Sequence, residues 1–265
     1  MEVNAATVGD DERLRIRQPP PDAPVMRQLW RRLGFIHWPV AAAELAPLLP
    51  GGLEVDLFEG QAYVGLVPFT VPRSRLPGVG VPLMPPFHEL NLRTYVHRSG
   101  RNPGVWFFSL DAASRLAVLG ARTVYRLPYF HARMRLTERP APGGPLFEYV
   151  SWRRRTRQGG GNAEFRGHYG PVGPVAPARP GSLEFFLLER YLLYAWNGHA
   201  LSTARVWHAP YPVQGATAQF EQTVTAAAGI VVPPAPPLVH YAAEVDVRIH
   251  RPRRADDVVV SNMAP

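Results

Sequence analysis

Glycine and proline punctuate this chain closely, with 23 glycines and 30 prolines among 265 residues. Proline lacks the N–H that a helix interior needs, and glycine has the most backbone freedom to lose on folding. The segments left between them have the length of strands rather than of long helices. Their combined share, a fifth of the chain, stays below the roughly 25–30% that marks low-complexity disorder. With 46% hydrophobic residues there is enough apolar side chain for a core. The expectation is a mainly β, single-domain fold with two or three short helices.

Strand patterns fall at residues 33–38, 53–58, 61–69, 89–96, 105–110, 122–127, 131–136, 147–153 and 240–249. Short helices are expected at 39–48, at 183–190 behind the N-cap Ser182, and at 216–228. Asn197-Gly198 marks a hairpin over 191–208. Residues 76–86, rich in proline and glycine, form a loop of the kind that caps a cavity. The polar residues 1–26 read as a flexible arm, 27–250 as the folded domain and 251–265 as a polar tail.

One strand has two unlike faces. Side chains alternate along a strand, so Glu89, Asn91, Arg93, Tyr95 and His97 share one side, while Leu90, Leu92, Thr94 and Val96 take the other. The next strand, Val105-Trp106-Phe107-Phe108-Ser109-Leu110, is apolar on both faces and ends in Asp111. Polar groups buried in such surroundings must satisfy one another or face a cavity that holds polar ligand atoms. Asp111 either caps the following turn or joins that face. In the segment 120–133, Arg122 and Arg126 point one way and Tyr129, His131 and Arg133 alternate after Pro128. An arginine aimed into an enclosed space is a carboxylate clamp, because its planar fork makes two parallel hydrogen bonds. Its plainer role is a structural bridge to Glu89 or Asp111.

Composition removes several chemistries. There is no cysteine and, on reading the rows, no lysine. Thiolate nucleophiles, thiolate-ligated metals, imine formation and a P-loop lysine are therefore excluded. His88-Glu89 lacks the second histidine of a zinc-peptidase helix, and no nucleophile elbow or dinucleotide fingerprint occurs. No metal and no cofactor are expected. The net charge of +8 rests wholly on arginine. Its local runs, Arg153-Arg154-Arg155 with Arg157 and Arg251 to Arg254, lack the recognition helix or aromatic sheet of a nucleic-acid binder. They read as solvated surface. No apolar run is long enough to span a bilayer, and no secretory signal pattern precedes the domain, so a cytoplasmic location is expected. The expected partner is a small molecule, with a homo-oligomer open and neither membrane nor nucleic acid called for.

The strings Phe35-Ile36-His37-Trp38-Pro39-Val40, Glu89 to Val96, Trp106 to Ala112, Leu127 to Ala132 and Glu189-Arg190-Tyr191 resemble the YqjF-like DUF2071 family over about residues 27–250. That family is distantly similar to the acetoacetate decarboxylase superfamily. The resemblance implies a single-domain, closed or cone-shaped antiparallel β-barrel with an internal cavity. In the superfamily a reactive lysine follows a proline; the similar place here is Pro128, followed by Tyr129. The cavity glutamate is best matched by Glu89, and a second acid just before the lysine is replaced near Arg122. With no lysine, Schiff-base decarboxylation is ruled out while the cavity is retained.

These readings converge on a cofactor-independent acid–base enzyme, of lyase, hydratase, isomerase or cyclase type, acting on a small carboxylate or carbonyl compound. Glu89, Tyr129 and Arg122 are the catalytic candidates. Arg93, Asn91, Tyr95, Asp111, His131 and Trp106 are the substrate-binding ones. The alternative is a non-catalytic binding or sensing protein that uses the same cavity.

Overall fold

Fourteen strands join in one sheet in the computed structural model, which describes residues 8–155 and 161–257. In chain order they are β1 (Met26–Val40), β2 (Glu54–Val55), β3 (Ala62–Arg75), β4 (Phe87–Arg98), β5 (Arg101–Ala112), β6 (Tyr129–His131) and β7 (Arg133–Ala141). There follow β8 (Gly144–Arg153), β9 (Ala163–Ala176), β10 (Leu192–Trp196), β11 (Leu201–His208), β12 (Val213–Gln222), β13 (Leu238–Ile249) and β14 (Arg253–Arg254). The helices are short: α1 (Asp10–Arg17), α2 (Ala42–Leu45), α3 (Arg115–Gly120), α4 (Leu183–Leu188) and α5 (Val224–Ala227). None of the helices described is long and apolar enough to cross a membrane.

The sheet runs β11-β10-β5-β4-β3-β1-β13, and a further pairing of β13 with β11 returns it to its start as a ring. Neighbours in the ring are antiparallel except β5 and β10. Strands β12, β9, β8 and β7 continue beyond β13 and pack over the outside of the ring. There Phe147, Tyr149, Phe165 and Tyr169 meet Ile36, Leu66, Leu90 and Leu92. Inside the ring, Leu33, Phe35, Val67, Phe69 and Phe107 form a separate cluster. The alternation along β1, β3 and β4 thus divides two cores, with odd-numbered residues of β4 inward and even-numbered ones outward.

The hairpin at Asn197-Gly198 forms as expected, and Asn197 Oδ1 accepts hydrogen bonds from the backbone N–H of His199 and Ala200. Other expectations are corrected. Residues 10–17, expected within a flexible arm, are helical and anchored: Arg13 and Ile16 are buried, and the Arg13 guanidinium makes two 2.7 Å hydrogen bonds to Asp56. Residues 1–7 and 258–265 of the expected arm and tail lie outside the described residues. The expected helix at 216–228 is mainly strand β12, with only Val224–Ala227 helical, as the β-branched Thr217 and the neighbouring edge of β9 favour. The expected helix at 39–48 starts late, because β1 continues through Val40.

The largest correction is at 122–127. Instead of a strand, α3 starts at the N-cap Ser114, whose hydroxyl accepts from Ala117 N–H at 3.2 Å. It runs on through a wider π-turn over Ala121–Tyr125 and stops at Arg126, whose φ of 56° is left-handed. Leu116, Ala117, Gly120, Ala121 and Val124 therefore lie on one side, at helical spacing.

Candidate functional site

A cavity of about 350 Å³ with largely apolar walls opens into the ring. Polar side chains enter it chiefly from β4: Glu89, Asn91 and Arg93 line one wall in succession, and Tyr129 at the start of β6 faces them. The Tyr129 hydroxyl donates to Glu89 Oε1 at 2.9 Å. From the outer layer, Tyr149 donates to the Glu89 backbone carbonyl at 2.8 Å and fixes the strand at this point.

Burial dominates the electrostatics of Glu89. It raises the carboxyl from its ordinary 4.5 to about 8, against the downward pull of the Tyr129 hydroxyl and the Asn91 amide, and the Asp111 charge adds to the rise. A buried carboxyl without a cationic partner keeps its proton at neutral pH. Burial, then the neighbouring Glu89, pushes the Tyr129 phenol well up, so it remains a hydrogen-bond donor.

Arg93 is the complement. Its Nη2 donates to the Leu187 carbonyl at 3.0 Å, and the guanidinium lies 5.7 Å from the centre of the Phe35 ring. Among the described residues no carboxylate lies within ion-pair distance of it, and its Nε is buried without a partner. The carboxylates that could have neutralised it are engaged elsewhere. Asp56 holds both Arg13 and Arg190 at 2.7 Å. Burial raises the Asp56 pKa, but the two guanidiniums outweigh it and the net shift is downward. Asp111 holds Arg153 at 2.6 Å, both almost fully buried. An apolar cavity lined by a neutral acid and an uncompensated cation favours an anionic ligand.

Of the expected site residues, Glu89, Asn91, Arg93 and Tyr129 thus share the cavity. Five do not line it. Asp111 faces outward and bridges to Arg153 between the two layers; Arg153, expected on the surface, is buried there. Trp106 also faces outward, packing beside Tyr191 and Leu192. A bulge near Phe108 resets the parity of β5, so that Val105, Phe107 and Leu110 line the cavity instead. Tyr95 points inward, but below the cavity floor, where its hydroxyl bonds to the Leu187 carbonyl at 2.8 Å and to His37 Nε2 at 2.7 Å. Arg122, carried by the π-turn rather than a strand, lies over the Phe130 ring at 5.9 Å. His131 is partly exposed on β6, beside Ala112.

The sequence reading missed Arg190, which lines the floor while held by Asp56. It also missed Trp30, which lines the cavity from β1 with its indole N–H donating to Gln28 at 2.8 Å. The alternation of Gln28, Trp30, Leu33 and Phe35 was available in the sequence, but an interruption by Arg31-Arg32 hid it; Arg32 has a φ of 57° there. Among the described residues no group of three or more His, Asp or Glu is placed to hold a metal.

Residues 27–246 match the family model of DUF2071, described as an uncharacterized conserved protein. The chain belongs to this family. It is 41% identical over 227 residues to the uncharacterized protein YqjF of Bacillus subtilis (strain 168), covering 84% of this chain and 89% of that one. Among solved structures it is similar to the enduracididine biosynthesis enzyme MppR complexed with pyruvate, with a TM-score of 0.62 at 13% identity, covering 89% of this chain and 93% of that one. It is also similar to an acetoacetate decarboxylase from Legionella pneumophila subsp. pneumophila str. Philadelphia 1, with a TM-score of 0.60 at 12% identity, covering 96% and 98%. At such identities the likeness establishes the acetoacetate decarboxylase-like fold.

Proposed function

We propose that this protein is an acid–base enzyme acting on a small carboxylate that carries a carbonyl group. The observation that carries the reading is the pairing, inside one apolar cavity, of a proton-holding Glu89 with an arginine that has no carboxylate of its own. Arg93 takes the substrate carboxylate. Glu89, poised near 8, suits proton transfer, since the best acid–base groups titrate near the operating pH. In its ionised form it takes a proton from the carbon next to the substrate carbonyl. The electron pair of that C–H bond moves to the carbonyl oxygen as an enolate, which accepts a hydrogen bond from Tyr129. Glu89 then returns the proton to carbon. Such a step needs neither an imine nor a lysine. The structural likeness to MppR, whose complex holds pyruvate, supports a short 2-oxo acid as the first substrate to try.

The test is proton exchange in heavy water. Incubated with a panel of 2-oxo and 3-oxo acids, the protein should exchange the protons next to the carbonyl, read as loss of their NMR signal. The apparent second-order rate should rise with pH and level off above about 8, because the base is the ionised carboxyl. E89Q should exchange at the solvent rate while retaining its fold. Exchange in E89Q at the wild-type rate would refute the role given to Glu89.

A further inference from the structure

The cavity is longer and less polar than a three-carbon acid requires. Strand β4 leaves the loop at 76–86 through Phe87 and carries Glu89, Asn91 and then Arg93 away from it. At roughly 3.3 Å per residue, the stretch from Phe87 to Arg93 covers on the order of 20 Å. Below Arg93, the Tyr95 hydroxyl and the Leu187 carbonyl of α4 close the floor. The charge therefore sits at the bottom. At about 30 Å³ for each water-sized group, the space admits on the order of ten non-hydrogen atoms, whereas pyruvate would fill about half of it.

The opposite end is apolar and open. Leu76 and Leu83 of the loop and Leu116 and Val124 of α3 and its π-turn all line the cavity, yet they are 42%, 39%, 54% and 58% exposed. Val79 and Val81 of the same loop and Leu119 of α3 are exposed as well. Exposed apolar side chains gathered at one cavity mouth, as Leu76, Leu83, Leu116 and Val124 are, mark a place where something apolar is met. Here it is continuous with the wall of a cavity at whose far end lies Arg93, which among the described residues has no carboxylate partner.

We propose that the ligand is an amphipathic carboxylic acid, its carboxylate on Arg93 at the floor and its apolar tail rising past Glu89 to leave between the loop at 76–86 and α3. The proposal rests on the anionic substrate assigned above, and adds the tail. It places the reacting carbon between head and tail, beside Glu89, and gives the exposed leucines and valines the task of covering the chain where it emerges.

The experiment is calorimetric titration of the full chain with straight-chain monocarboxylates from acetate to decanoate, each below its micelle concentration, with octan-1-ol as the control for the head group. The dissociation constant should fall about three- to fourfold for each added methylene until the tail clears the rim. Octan-1-ol should bind at least about tenfold more weakly than octanoate, since it lacks the charge that Arg93 pairs with. V124D, an exposed change at the rim, should flatten the dependence on length and leave acetate and pyruvate unaffected. Short acids that bind while longer ones bind no better, or an unchanged slope in V124D, would overturn the tail and leave the proposed function standing. Equal binding of octanol and octanoate would show the chain lying on the outer rim alone and would overturn it too. Failure of every acid, short or long, would overturn both.

Discussion

Replacing Glu89 by glutamine should make the protein more stable at alkaline pH and remove part of its sensitivity to pH. In the folded chain the carboxyl titrates at about 8, against an ordinary 4.5 in the unfolded one. Between those values the folded state holds a proton that the unfolded state has released, so rising pH favours unfolding. The contribution of Glu89 is therefore most favourable below about 4.5, declines across the window and is constant above about 8. At 1.36 kcal/mol for each pH unit, the full decline is on the order of 5 kcal/mol. Glutamine is close in shape, and its amide oxygen can still accept from Tyr129, so the variant removes the charge with little change in packing. The assay is urea denaturation of both proteins at intervals from about pH 5 to about pH 9, comparing the difference between them at each pH. Other titrating groups, such as Asp111 at about 6 and His208 at about 4, are shared and largely cancel in that difference. E89Q should gain progressively on the wild type as pH rises to about 8 and hold its lead beyond. Two stability curves that run parallel across this range would refute the assignment of a buried, proton-holding carboxyl, and with it the electrostatic basis of the site.

The buried ion pairs give two further expectations. D111N should destabilise the protein by about 3–5 kcal/mol, because it leaves Arg153 buried beside a neutral group, and the double variant D111N/R153M should recover much of that loss; denaturant midpoints of the three proteins decide it. D56N should cost a similar amount, about 3–5 kcal/mol, and in addition release α1, which trypsin should then cut after Arg13, Arg15 or Arg17 far faster than in the wild type. Since the folded Asp56 titrates below its ordinary 3.8, its stabilising effect is fully present above that value. It is lost as pH falls through the folded pKa, so wild type and D56N should converge in strong acid.

The elements read correctly from the sequence share a property: each depends on neighbours along the chain. Alternation alone put Glu89, Asn91 and Arg93 on one face, because a regular strand leaves no other choice, and the Asn-Gly turn set the hairpin of β10 and β11 for the same reason. The errors arise where a local signal is overruled. Trp106 is expected among the substrate-binding residues, yet its strand is apolar on both faces and offers no alternation to read, and only the bulge near Phe108, a property of the pairing with β4, decides which aromatics enter the ring. The expected strand at 122–127 carries Thr123, Val124 and Tyr125, yet residues 122–125 are helical, and Leu116, Ala117, Gly120, Ala121 and Val124 cover the mouth of a cavity that exists only in the folded ring. The chemistry of the site was the least legible part, for a reason that goes beyond geometry. Arg13, Arg93, Arg153 and Arg190 are all buried, and each was a possible partner for Glu89, Asp56 or Asp111. The partners that meet lie 42, 43 and 134 residues apart. Only after those pairings are made does Arg93 stand without a carboxylate and Glu89 without a cation. The charge character of the cavity is thus the remainder of a pairing carried out across the whole fold, and a local motif could not have announced it.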